Sequence, residues 1–328
     1  MSINHRRAVL LQLAGAAAAA LLPPAVRART DYPSRLVKLI VPAPPGGSTD
    51  VMARAIARAM EGQHNIPVVV ENRPGAAGAI GIQAAIIAPP DGYTITLSAA
   101  DATLIYPMLR KIPPYHHDRD LTPIAQVAYT NFLFVVPGDS PCHSIQEVVE
   151  ASKRRHMAYS SNGYGSGNHL WMEAFKAHAG ATLLHVPYNG AAPAMQALMA
   201  GEVDFMITSP ASAHTALASG RMRPLAVSSE RRLPGFPNVP TLIESGYPGV
   251  VMGAWFGVFG PANMPPSIVE KLHTMVTDAT QSPEYQKQAE AFMFDTQPVS
   301  RTAFAKVISD DTALLKAAIE SADLRQEN

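Results

Sequence analysis

The sequence predicts an α/β protein with largely parallel sheets, and three observations lead there. Short apolar runs of strand length recur along the chain. Segments with helical spacing separate most of them. Three of the runs pass into a Gly-containing loop and then a helix start, the connection from which parallel sheets are built.

Residues 1–28 precede this pattern. Arg6-Arg7, an apolar run from Ala8 to Leu22 and the small-residue end Val26-Arg27-Ala28 have the form of an export signal cleaved near Ala28. The run is too short and alanine-rich to span a membrane comfortably. General secretion is the simpler route, and the paired arginines leave twin-arginine export open. No cysteine lies near the end of the leader, so anchoring through a leader cysteine is excluded. The expected compartment is the periplasm.

The first strand is Leu36–Val41, followed by Pro42-Ala-Pro-Pro-Gly-Gly47 and a helix opening at Ser48 or Thr49. Val51, Met52, Ala55, Ile56, Ala59 and Met60 form its apolar stripe. Amides at such a helix start are unpaired and suit an anion, although Gly46-Gly47 also reads simply as a tight turn. Strands Val68–Glu71, Thr94–Ser98 and Phe132–Val136 follow. Met157–Ser160 leads into Ser161-Asn-Gly-Tyr-Gly-Ser166 and a helix carrying Leu170, Trp171, Ala174 and Phe175. Leu183–Val186 leads to a third helix start at Tyr188-Asn-Gly-Ala-Ala-Pro193, where proline suits the first turn. Val203–Thr208, Pro224–Ser228 and Trp255–Phe259 complete the strands. From Pro266 the chain reads as two or three amphipathic helices broken near Ser282-Pro283 and Gln297-Pro298-Val299.

The 328 residues suffice for two domains. At 47% apolar and 16% charged the composition is that of a packed globular protein. Loss of the leader leaves 23 basic and 26 acidic residues, a net charge of −3 with no basic stripe, which removes the electrostatic case for nucleic-acid binding. Cys142 is the only cysteine, so no internal disulfide forms.

Catalytic signatures fail on spacing. The residues around Ser166 do not make a nucleophile elbow, and no Gly-Lys-Ser/Thr follows Gly46-Gly47. His116-His117-Asp118 reads as a solvated loop rather than a metal site. Three strand–loop–helix units thus offer backbone donors and hydroxyls without a strong nucleophile. That describes a binding cleft; neither a cofactor nor a metal is expected.

The ordered motifs Val41-Pro-Ala-Pro-Pro-Gly-Gly-Ser-Thr-Asp50, Val70-Glu-Asn-Arg-Pro-Gly-Ala76, Pro90-Asp-Gly-Tyr-Thr94, His185-Val-Pro-Tyr188 and Gly201-Glu-Val-Asp204 resemble the Bug family. Arg223–Ser228, Val239-Pro-Thr241 and Trp255-Phe-Gly257 extend the likeness over nearly the whole mature chain. The resemblance implies a substrate-binding receptor of a tripartite tricarboxylate transporter. It implies a two-lobed type II periplasmic binding fold in which Phe132–Val136 and Trp255–Phe259 are the hinge strands. Residues 31–131 with 255–328 would form one lobe and 132–254 the other.

A small organic carboxylate is then the expected ligand, the transporter's membrane subunits the expected partners, and a monomer the expected state. The candidate ligand-binding residues are Gly46, Gly47, Ser48 and Thr49 in the first loop, and Ser161, Gly165, Ser166 and His169 around the second. Asn189 in the third and Asp204 join them. His169 is either a ligand donor or a packing histidine. Asp101 is an eleventh candidate: the resemblance implies a small neutral residue at this loop, where this chain has a carboxylate. It either points outward or caps the next helix, or else supplies a counter-charge in the cleft. No Arg or Lys occurs in these loops, so neutral donors and water are expected to hold the ligand. The rival readings are a receptor feeding a sensor kinase and a secreted enzyme using His169 or Asp101 as a base.

Overall fold

The computed structural model describes residues 32–325, so the leader lies outside the described residues. The chain builds two five-stranded sheets with flanking helices. The first takes β1 (Val37–Val41), β2 (Val68–Asn72), β3 (Thr94–Ala99), β4 (Leu121–Asn131) and β10 (Gly253–Pro261), in the order β2-β1-β3-β10-β4. The second takes β5 (Leu133–Pro137), β6 (Met157–Ser161), β7 (Leu183–Pro187), β8 (Phe205–Thr208) and β9 (Met222–Val227), in the order β7-β6-β8-β5-β9. Helices α1 (Ser48–His64) and α2 (Ala79–Ile86) accompany the first sheet. Helices α3 (Ile145–Arg154), α4 (Gly167–Ala179), α5 (Ala191–Met199) and α6 (Pro210–Ala218) accompany the second. The chain ends in α7 (Pro266–Thr280), α8 (Pro283–Ala291) and α9 (Arg301–Ser321).

Both sheets are parallel with one antiparallel insertion. β1 pairs parallel with β2 and β3, and β10 runs antiparallel between β3 and β4. β6 pairs parallel with β7 and β8, and β5 runs antiparallel between β8 and β9. The parallel strands therefore end together, β1 to β3 at one edge of the first sheet and β6 to β8 at one edge of the second. This is the edge at which open α/β sheets offer their loops to ligands.

β4 is the strand that the sequence hides. Its Pro123 argues against a strand interior, because proline cannot donate to a ladder. The structure accommodates it on the edge strand, opposite Phe259, where the register with β10 shifts. The chain crosses between sheets twice, at Phe132 and between β9 and β10. The expected hinge strands are thus shifted slightly: the first crossing is Phe132 alone, and all of β10 stays in the first sheet.

One buried serine laces the crossings together. Ser228 Oγ accepts the Phe132 N–H at 2.7 Å and donates to the Met252 carbonyl at 2.5 Å. Its own N–H bonds Phe132 O at 3.0 Å, and its carbonyl accepts from Met252 at 3.2 Å.

Aromatic packing supports both sheets. Phe134 of β5 meets Phe175 of α4 edge-on at 4.9 Å, and Trp255 of β10 meets Phe304 of α9 edge-on at 5.5 Å. α9 opens on Ser300, whose Oγ accepts the Ala303 N–H at 3.1 Å. It packs on β4 of the first sheet and on α4 of the second, burying Phe304, Ile308, Leu315 and Ile319. Its Asp311, only 6% exposed, accepts the Trp255 indole N–H at 3.0 Å, and burial lifts the carboxyl pKa to about 7. No helix among the described residues is long and apolar enough to cross a membrane.

Candidate functional site

At the edge of the first sheet, the loop after β1 is organised by a residue the sequence reading passed over. Asp50 is buried in the first turn of α1. It accepts the Gly46 N–H at 2.9 Å, Arg54 Nε at 3.0 Å and Asn72 Nδ2 at 2.9 Å. Burial works against its charge, but the bonds from Arg54, Gly46 and Asn72 outweigh it and hold the carboxyl below its ordinary value. Asn72 also donates to the Ala43 carbonyl at 3.1 Å, so both ends of the loop are tied to β2. The Gly46 amide is thereby used up. Gly47 caps α1 through its backbone, and the first-turn amides from Ser48 onward have no partner within the helix.

The loop after β2 fits closely against its neighbours. A Cβ on Gly78 would lie 2.7 Å from that of Ala102 and 3.0 Å from the Pro42 carbonyl, so only glycine lets the three loops meet. After β3 the chain enters a wide π-type turn, Asp101–Ile105, continued by the helical turn Tyr106–Met108. Thr103 Oγ1 donates to Ser98 Oγ at 2.9 Å, and the Tyr115 hydroxyl donates to the Ala102 carbonyl, which together fix this turn.

The second sheet presents the loop 162–166. Ser161 Oγ is 3.0 Å from the Gly163 carbonyl and 2.6 Å from His185 Nε2. The Gly165 N–H donates to His169 Nδ1 at 2.9 Å. Ser166 Oγ lies 2.6 Å from Gly163 O and 2.8 Å from Asn168 Oδ1. The His169 and His185 rings stack at 3.7 Å with 10° between planes. Burial, then the neighbouring His185 and Lys176, push His169 down to about 3. Burial pushes His185 to about 4, with Glu173 acting against the shift and Lys176 adding to it. Both rings are neutral at neutral pH. An acceptor at His169 Nδ1 places that ring's proton on Nε2.

Between the sheets lies a cavity of about 280 Å³. The first lobe lines it with Ala77, Tyr106, Leu109 and Arg110, the second with Asn162 to Ser166. The two lobes also meet beside it, where a Cβ on Gly167 would fall 2.5 Å from Asp101 Oδ1.

A family model described as tripartite tricarboxylate transporter family receptor matches residues 52–324. The chain belongs to this receptor family. It is 38% identical over 254 residues to protein BugT of Bordetella pertussis, covering 76% of this chain and 78% of that one. A TctC solute binding protein from Polaromonas, solved without ligand, superposes with a TM-score of 0.82 at 32% identity, covering 88% and 99% of the two chains. MatC from Rhodopseudomonas palustris, solved with bound malate, superposes at 0.68 with 27% identity over 88% and 100%. The receptor therefore has the two-lobed periplasmic binding fold that its motifs resembled.

The receptor gathers only some of the residues singled out in its sequence. Gly165 and Ser166 line the cavity; Asn189 is exposed on the adjoining loop, where the Gly190 N–H bonds the Asn162 carbonyl at 3.1 Å. Ser161 and His169 are 0% and 1% exposed, and their side chains brace the loop from behind. Asp204 lies away from this edge altogether. It precedes β8 at the amino end, beside Ala158, whose N–H it accepts at 2.9 Å while Arg155 pairs with it at 3.0 Å. Four residues of strand, about 13 Å, separate it from the loop edge. Loop 46–49 sits at the correct edge but contributes nothing to the cavity wall.

Arg110 was missed, and it corrects the expectation of a cleft free of basic side chains. Its guanidinium lies 4.7 Å from the Tyr106 ring centroid, and its buried Nε has no hydrogen-bond partner among the described residues. The signal was a short one: Tyr106, Leu109 and Arg110 stand at i, i+3 and i+4 on one helical face after a proline-bearing start. Asp101 caps no helix; it is exposed to water, with its Oδ1 facing Gly167 of the other sheet's α4.

Proposed function

We propose that this receptor captures a small organic carboxylate between its lobes in the periplasm and presents it to the membrane subunits of a tripartite tricarboxylate-type transporter. The observation that carries the reading is the 280 Å³ interlobe cavity with Arg110 on one wall and the Gly165–Ser166 loop on the other. Its size is at the small end of ligand pockets, as suits a metabolite-sized ligand. A guanidinium in the cavity wall recognises a carboxylate by a charge-assisted bond, and the first-turn amides of α4, which have no partner within the helix, complete the anion site. The first-turn amides of α1 at Ser48 and Thr49, at the same edge, are the second anchoring point. Closure about the ligand would occur at the Phe132 and 228–252 crossings, shifting the population to the form the transporter reads. In this reading residues 31–131 with 255–328 move as one lobe and 132–254 as the other, α9 bridging them. The receptor acts by binding, without turnover. Export would remove the leader near Ala28, which the intact mass of periplasmic protein checks.

A thermal-shift screen of small carboxylates tests the reading, because a ligand that binds only the native state raises its melting temperature. Several should do so for the native receptor, and Arg110→Gln should abolish the shift. If no carboxylate raises the melting temperature, or if Arg110→Gln responds like the native protein, the cavity is not the carboxylate site.

A further inference from the structure

The carboxylate of Asp101 crosses the space between the lobes and rests against Gly167 with no partner of its own. Gly167 directly follows Ser166 of the cavity wall, so the carboxylate lies one residue beyond that wall, at the first turn of α4. Among the described residues no hydrogen bond to its side chain is made, although every other carboxylate at the two loop edges is engaged: Asp50 by three donors, Glu71 by Lys38 and Arg73. Asp101 is exposed to water at this contact, and the surrounding protein raises its carboxyl pKa above the ordinary value.

The close approach depends on Gly167. Any larger residue there would place a Cβ 2.5 Å from Asp101 Oδ1 and push the carboxylate away. Asp101 and Arg110 stand at the two ends of the same segment, an anion beside the cavity and a cation in its wall. A simple di-acid would satisfy Arg110 and the first-turn amides of α4 but leave a carboxylate facing Asp101, an unfavourable juxtaposition. A ligand carrying a cationic nitrogen as well as a carboxylate would satisfy both charges.

We propose that Asp101 is a specificity-determining residue that selects an amino-acid-like zwitterion, its carboxylate at Arg110 and the 162–166 loop and its ammonium at Asp101. The inference rests on the carboxylate-binding reading above. Asp101 against Gly167 then acts as the acceptor that closes around the ammonium, with one lobe supplying the charge and the other the room.

Titration calorimetry with two matched pairs, succinate with aspartate and glutarate with glutamate, tests this on the native receptor and on Asp101→Asn and Asp101→Ser. The native protein should favour the amino member of at least one pair by about ten-fold or more, the scale of one charge-assisted bond. Both variants should lose that preference while binding the di-acid unchanged or more tightly. Equal weakening of both members, or a native preference for the di-acid, overturns the inference and leaves carboxylate binding intact. Failure of every carboxylate to bind the native protein, here and in the thermal screen, removes the underlying reading and this inference with it. Matching thermal melts for the variants without ligand separate lost selectivity from lost folding.

Discussion

Acid should loosen the 162–166 loop through its two stacked histidines. In the unfolded chain each imidazole titrates near 6.5, whereas burial holds them near 3 and 4 in the fold. The folded-state value is the depressed one, so the contribution is complete above pH 6.5. It is lost as pH falls below 6.5, because the unfolded chain then binds protons that the fold refuses. Each such group costs about 1.4 kcal/mol per pH unit, hence about 2 kcal/mol at pH 5 for His169 alone and about 4 kcal/mol for the pair.

His169→Asn isolates one of them, since an Asn oxygen can replace Nδ1 as acceptor for the Gly165 N–H without titrating. Urea unfolding of both proteins between pH 7.5 and 5 measures the effect. The native protein should lose about 2 kcal/mol more than the variant over that range. Parallel stability curves, agreeing within about 0.5 kcal/mol, would mean that the rings are reachable by protons in the folded state and that the buried-stack account is wrong.

Two further outcomes follow from buried polar groups. Asp311 has the opposite sign: its folded value of about 7 exceeds its unfolded 3.8, so its stabilising effect is full below 3.8 and lost as pH rises through 7. Asp311→Asn, keeping an acceptor for Trp255, should be neutral at pH 4 and more stable than the native protein by roughly 2–4 kcal/mol at pH 8; equal stability at both pH values would show that Asp311 ionises freely. Ser228→Ala strands the Phe132 N–H and frees the Met252 carbonyl at the crossings, and should lower the unfolding free energy by about 2–4 kcal/mol; a loss under about 0.5 kcal/mol would show that water or backbone shifts replace both bonds.

Local pattern was enough to reveal the fold class, while the two-lobed division was implied by the family resemblance. Strand-length apolar runs alternating with helical stripes specify parallel sheets whatever else the chain does, and nine strands were readable that way. β4 escaped because Pro123 and interspersed polar residues break its pattern, and only its place on the edge beside β10 makes those residues tolerable. The Gly-rich loops were likewise readable as helix starts after strands, since turn chemistry is written in adjacent residues. What each side chain in them does was decided by contacts between residues far apart in the chain. Asp204 looked like a site residue until β6 and β8 paired and set it at the wrong end of the sheet. His169 was drawn behind its loop by a stack with His185, and Gly46 lost its amide to Asp50. Arg110 and Asp101 gained their positions from a π-type turn and from the approach of Gly167 across the cleft. A charge's partner, or lack of one, is a property of three-dimensional neighbourhood, and no periodicity in the sequence encodes it.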